Sequence, residues 1–237
     1  MKINLITLNP ALKSIFSFQN MIITLDANFF IPPDRSRYIN RAFDFQLFKR
    51  IWLDPIFKVF PNLAIHEAVY DELILPSVKI YADTNIYADT NIYAVPPKLL
   101  IHKDSSLTSE EMMLRDSIEE KIYPLTKYDP MLNNKDDRGE VKTLAYIAVK
   151  GLCYFAVNDF NAIQLIEKAK EWGTGLDNVK AIKMYELIFY LYKNNLSDKK
   201  NLRILYKYQY HLTKHEKSIN PEWSKFIEAM EALYQEK

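Results

Sequence analysis

Two short apolar runs end on aspartates. Residues 21–25 (MIITL) lead directly into Asp26, and residues 152–157 (LCYFAV) lead through Asn158 into Asp159. Continuous runs rich in β-branched or aromatic residues suit strands buried on both faces of a parallel sheet. In such a sheet the ligand crevice lies beyond the carboxyl ends of the strands. Were the two strands neighbours, carboxylates 133 positions apart in the chain would meet there. Helices packed on the sheet can add acids from their first or last turn. Glu140 stands at the start of one such helix, and Glu67, Asp71 and Glu72 lie along another. Carboxylates gathered in one pocket repel and raise each other's pKa, so an ionised cluster needs a cation. Oxygen donors without Cys or His point to Mg2+ or Mn2+ rather than Zn2+. Such an ion takes phosphate oxygens as further ligands, activates a water and stabilises an in-line phosphoryl transition state. The implied reaction is phosphodiester hydrolysis.

Each acid also has a simpler explanation. Asp26 lies shortly before Pro32 and Pro33 and suits a turn. Asp159 can cap the helix that follows it. Asp137-Arg-Gly-Glu140 scans as a capping box, a device worth about 1 kcal/mol that needs no metal. Glu72 on an amphipathic helix is solvated by default.

The elements that must position these acids alternate along the chain. Residues 37–51 and 65–73 read as helices, with 58–64 between them as a strand or an extended lead-in. Thr108 and Glu111 form a capping box that opens a helix to about Tyr123. Residues 124–136 read as a polar loop and 137–150 as a helix stopped by Gly151. A further helix runs from 160 to about Trp172, where Gly173 and Gly175 break it. Beyond 176 only helices are expected, at 177–194, 199–214 and 221–235. The pattern argues an α/β fold with a central parallel sheet and a C-terminal all-helical extension. The hexapeptide IYADTN fills 80–85 and 86–91 and restarts at 92–94. Two and a half copies are too few for a solenoid, so a loop or hairpin is expected.

Four stretches together resemble the PIN domain, a metal-dependent ribonuclease fold. MIITLDANFFI is similar to its first strand, with Asp26 as the first acid and Asn28 as the polar residue after it. AIHEAVYDEL resembles its helix ending in Glu-Leu, which selects Glu72 over Glu67 and Asp71. DRGEVKTLAYIAVKG resembles the variant in which Gly-Glu begins a helix, giving Glu140. CYFAVNDFNAIQL resembles its final strand, giving Asp159 with Asn158 in support; Asp137 is a further supporting acid. The resemblance implies a three-layer α/β/α domain over residues 21–175, with an insertion at about 74–136 and an unrelated extension at 176–237. It implies Mg2+ or Mn2+ held by Asp26, Glu72, Glu140 and Asp159, RNA as substrate, and a toxin–antitoxin toxin blocked by an antitoxin protein. The alternative is a catalytically inactive PIN-like module that binds RNA or protein. IYADTN also resembles such a first strand, which makes Asp83 or Asp89 a rival of Asp26.

Composition narrows the partners. The 237 residues carry 31 Lys and Arg against 30 Asp and Glu, so a nucleic acid must be held by a local patch. Segment 195–217 offers one: Lys199, Lys200, Arg203 and Lys207, with Tyr206, Tyr208 and Tyr210 interleaved. It can hold RNA by phosphate contacts and stacking, or bury its rings and solvate its lysines; partner binding or homodimerisation are other uses of these helices. His211 and His215 read as one face of a helix without a third metal ligand. The chain has no P-loop and no Gly-rich dinucleotide turn, and its four glycines leave little room for either. The single cysteine, Cys153, excludes a disulfide framework and a Cys-based zinc site, and suggests a reducing, cytoplasmic setting. No run is long enough to span a membrane. Residues 1–20 read as an N-terminal extension ahead of an alternative start at Met21.

Overall fold

A computed structural model describes residues 1–17, 21–39, 43–86 and 99–235. Among these, five strands form one all-parallel sheet: β1 (Ile23–Leu25), β2 (Leu63–His66), β3 (Leu99–His102), β4 (Tyr154–Val157) and β5 (Lys180–Lys183). Their order is β3-β2-β1-β4-β5. β1 is central, with Leu25 opposite Ile65 on one side and Ala156 on the other. Its three residues are all buried, as are those of β2, so apolar burial on both faces replaces the alternation of a solvated sheet. From β1 the chain adds strands outward in one direction up to β3, then returns to the other side of β1 for β4. That reversal lies between β1 and β4, where an open parallel sheet splays its connections and leaves a crevice.

Several sequence expectations are corrected. The helix expected at 37–51 is two pieces. One is Ser36–Ile39; the other begins at Phe45, capped by Asp44, whose carboxylate accepts from the Leu47 N–H at 2.7 Å. It widens into a π-helical turn at Lys49–Leu53 before continuing as Asp54–Val59. Pro55 lacks the N–H that would close on the Ile51 carbonyl. That carbonyl instead accepts from Ser197 Oγ at 2.7 Å. The helix therefore runs through Lys58, and the strand is Leu63–His66, not 58–64. Ile65 and His66 belong to β2, so the next helix is only Glu67–Glu72. The first IYADTN copy is helical, inside Pro76–Asn85, and not a loop or hairpin. Pro76 presets its first turn. The later copies lie outside the described residues beyond Ile86. β3 and β5 were not anticipated, and β5 falls where only helices were expected. The helix 160–172 divides at Lys168. The Thr108–Glu111 capping box is formed and opens Ser109–Ile122.

Contacts group the chain into two units. One comprises Met1–Gln19, Pro32–Val59 and Ile182–Lys237; the other comprises Asn20–Ile31 and Phe60–Ala181. The first unit takes in the N-terminal residues, which the sequence reading set aside as an extension. The helix Pro10–Ser17 buries Ala11, Leu12 and Ile15 completely. Asn9 Nδ2 donates to both carboxylate oxygens of the buried Glu186, at 3.0 and 2.9 Å. Within the same unit Tyr206 and Tyr210 are core residues, and Tyr206 stacks on Phe226 at 4.5 Å between centroids. Among the described residues no helix is long and apolar enough to cross a membrane.

If residues 10–17 belong to this core, Leu12→Ala leaves a cavity and lowers unfolding free energy by about 2–5 kcal/mol. Urea unfolding measures it; a change under about 0.5 kcal/mol, as at a surface site, would place the helix outside the core.

Candidate functional site

Asp26 is the first residue beyond β1, and its N–H donates to the Ala156 carbonyl of β4 at 3.0 Å. The ladder thus carries the residue one step past the strand and leaves its side chain at the β1–β4 crevice. Asp26 is fully buried. Its Oδ2 accepts from the Asn28 side chain at 2.8 Å and from the Asn28 N–H at 3.3 Å, capping the short turn Ala27–Phe29. Its Oδ1 is buried without any hydrogen-bond partner. The turn reading of Asp26 accounts for one oxygen and not the other.

Glu72 ends the helix that leaves β2. Its Oε1 accepts from the Gly139 N–H at 3.0 Å, so it serves the first turn of the helix Arg138–Val149 as an acceptor from outside that helix. A Cβ at residue 139 would stand 2.6 Å from that oxygen and 2.9 Å from Val69 Cγ2. Only glycine permits this approach. The Asp137–Glu140 capping box is not formed: Asp137 is left-handed, at φ 56°, and makes no cap hydrogen bond to this helix. Its carboxylate accepts from the Lys127 N–H at 3.0 Å instead. Glu140 is thereby released from the capping role that the sequence allowed. Asp159, two residues beyond β4, does cap the helix Phe160–Glu167, with Oδ1 accepting from Asn161 and Ala162 at 2.7 and 3.1 Å. Asn158 lies between β4 and this cap.

Electrostatics ties the four acids together. Burial, then the Glu72 charge, raises Asp26 well above the usual carboxylate range, against the pull of its Asn28 and Ala27 hydrogen bonds. Burial, then Glu140, pushes Glu72 up to about 7. Burial raises Glu140 too, followed by Asp26 and Asp159. Each acid is therefore felt by at least one other, as expected for a crevice fed from β1, β2, β4 and one further helix. They are not clenched: among the described residues no three of them bring one oxygen each within 4.8 Å of one another. The donor set still fits a hard divalent cation, and the Asp26 oxygen without a partner is the observation that supports it.

A different trio does approach that closely: His66, Glu67 and Asp104 each offer an atom within 4.8 Å of the others. Its hydrogen bonds argue against a metal. His66 Nδ1 accepts from the Ala68 N–H at 3.2 Å and caps the helix Glu67–Glu72. The ring proton then sits on Nε2, which faces Asp104 at 3.4 Å. A metal at Nε2 would need that proton moved to Nδ1, against the Ala68 N–H. Glu67 is engaged as well, accepting from the Asp104 N–H at 2.8 Å. With the buried His102, which stacks on Tyr146 at 4.9 Å, this half-buried trio is a joint where β2 and β3 end. Burial, then His66, pushes His102 down to about 4, so it stays neutral. Sequence reasoning missed the joint, though both strands spell it: LAIH and LLIH end in paired histidines.

Other candidates fall into place around these. Asp83 lies in a helix, bonded by the Tyr70 hydroxyl, and at no strand end, which removes it as the first acid; Asp89 lies outside the described residues. Lys199, Lys200, Arg203 and Lys207 are exposed along the helix Lys199–Tyr210 and form no ion pair with a described carboxylate. The interleaved Tyr206 and Tyr210 are buried and have no faces to offer a base. His211 ends that helix and His215 belongs to the next, Lys214–Ile219, so they do not share a helix face. Comparison with protein-family models, curated proteins and solved structures gives no match to this chain.

A carboxyl whose pKa is raised on folding makes the folded state hold more protons than the unfolded one. Stability then falls as pH rises from near 4 through the raised value, which for Glu72 is about 7. Asp26→Asn, neutral at every pH, should match the wild type near pH 4 and be more stable at pH 8 by on the order of 1–3 kcal/mol without divalent ions. Thermal unfolding in chelator at both pH values checks this, and an equal difference at pH 4 and pH 8 contradicts a raised Asp26.

Proposed function

We propose that this protein is a divalent-metal-dependent endoribonuclease with a PIN-like domain. Asp26, Glu72, Glu140 and Asp159 would hold Mg2+ or Mn2+. The observation that carries the reading is Asp26: a buried carboxylate at the β1–β4 reversal, with one oxygen unpartnered and its charge opposed by neighbouring acids. The resemblance of the four acid-bearing stretches to the PIN pattern supports RNA as the substrate. By that resemblance the protein is a toxin–antitoxin toxin, with an antitoxin covering the acids.

The chain's own groups act mainly by holding donors in place. Asn28 fixes one Asp26 oxygen and leaves the other to a ligand. The Gly139 N–H holds Glu72. Two helix N–H groups hold Asp159 while its charge still reaches Glu140. Donors fixed in this way need little rearrangement when the charge of a phosphate arrives. An ion bound there supplies Lewis-acid activation of water and stabilises charge on the phosphate. The cations of the helix Lys199–Tyr210 provide a separate, sequence-independent hold on an RNA backbone.

The reading is tested with labelled single-stranded and hairpin RNAs, Mg2+ or Mn2+, and the full chain. Cleavage is expected, with Asp26→Asn and Asp159→Asn each slowing it at least about a hundredfold, since each removes a charge from the ion's donor set. Cleavage untouched by both substitutions removes these acids from the mechanism; RNA binding without cleavage leaves a binding module. Arg203→Glu with Lys207→Glu should weaken RNA binding and flatten the log–log salt dependence by about 1.4, at about 0.7 per phosphate contact on a single strand. An unchanged slope removes this helix from the RNA contact.

A further inference from the structure

The first residue of the helix that delivers Glu140 is Arg138, and its side chain is only 17% exposed. A guanidinium presents five donors in a fixed fork. Here Nε is buried and has no acceptor. Among the described residues the carboxylate within ion-pair range is that of Asp71, whose oxygen lies 3.9 Å from Nη2, too far for a hydrogen bond, and whose side chain is 65% exposed. Glu72 is close enough for its charge to feel Arg138, yet it gives an oxygen to the Gly139 N–H. A buried donor without an acceptor is costly and calls for an account.

A negatively charged phosphodiester must approach four acids to react. Charge opposite to theirs is needed on the substrate side of the crevice, and Arg138 adjoins Gly139 and Glu140 in sequence. The guanidinium fork matches the geometry of two non-bridging phosphate oxygens, which a lysine meets only as a point charge. We propose that Arg138 binds the phosphate of the RNA substrate beside the acid cluster, with its Nε–H, which no protein acceptor meets, as one of the donors. This rests on the ribonuclease reading for the identity of the ligand, and it deepens that reading by adding a substrate-binding residue. Its alternative role is structural: a counter-charge that only settles Glu72 and Asp71.

The test separates the two roles and separates this proposal from its parent. RNA affinity is measured on the full-length Asp26→Asn protein in chelator, where nothing is cleaved, with and without Arg138→Gln and Arg138→Lys. Arg138→Gln is expected to weaken binding about tenfold or more, and Arg138→Lys to recover part of the loss. Inorganic phosphate should compete with RNA when Arg138 is present and lose most of that effect in Arg138→Gln. In the cleaving protein the same substitution should raise KM more than it lowers kcat. Affinity and phosphate competition unchanged by Arg138→Gln overturn the proposal, even if the protein cleaves RNA and even if melting shows a stability change. Arg138-dependent phosphate and RNA binding in a protein that never cleaves upholds the proposal and rejects the nuclease.

Discussion

Like charges brought together around a buried carboxylate must be neutralised, and that demand governs everything beyond the carboxyl ends of β1 and β4. Sheet pairing fixes where the crevice is: β2 and β4 take up both hydrogen-bonding edges of β1, whose three residues are all buried. The carboxylates then have no retreat. Asp26 is anchored through its own N–H to β4, and Asp159 through its cap to the following helix. Protons, a cation or a neighbouring guanidinium are the means of relief, and each changes what the site can do. Held protons make the acids poor ligands, whereas a divalent ion removes the repulsion and turns the same oxygens into a grip.

The parts of this arrangement legible in sequence were those written locally. β1 and β4 stand out as apolar runs that stop at acids. The helices Ser109–Ile122 and Arg138–Val149 stand out through their periodicity and stop signals. β2 was obscured because LAIH runs without a break into the helix-forming EAVYDE. β3 is an edge strand with Leu100 exposed, and β5 has only two apolar residues between lysines, so neither carries the signature of a doubly buried strand. Periodicity does not separate Glu67, Asp71 and Glu72; only the Glu-Leu resemblance singles out Glu72. Their tertiary surroundings differ: Glu67 accepts from the Asp104 N–H, Asp71 points largely to solvent, and Glu72 accepts from the Gly139 N–H.

The unit made of residues 1–19, 32–59 and 182–237 shows the same limit of local reading. Its helices read as extensions at either end of the chain because their apolar faces find partners far away in the sequence. The π-helical turn at Lys49–Leu53 is a case in point. No local signal beyond Pro55 marks it, and the carbonyl that Pro55 strands is satisfied by a serine 146 positions later. Interleaved tyrosines and cations on Lys199–Tyr210 sort by burial, rings inward and charges outward, as snorkelling side chains do.

Gly139 joins the two levels. The missing methyl group lets an acid from another helix reach the backbone of this one. The position of that carboxylate is keyed to one atom's width there. A lineage that exchanged this glycine for any larger residue would keep every carboxylate in its sequence and still displace one of them, so counting acids in related chains would overstate how many retain the intact crevice.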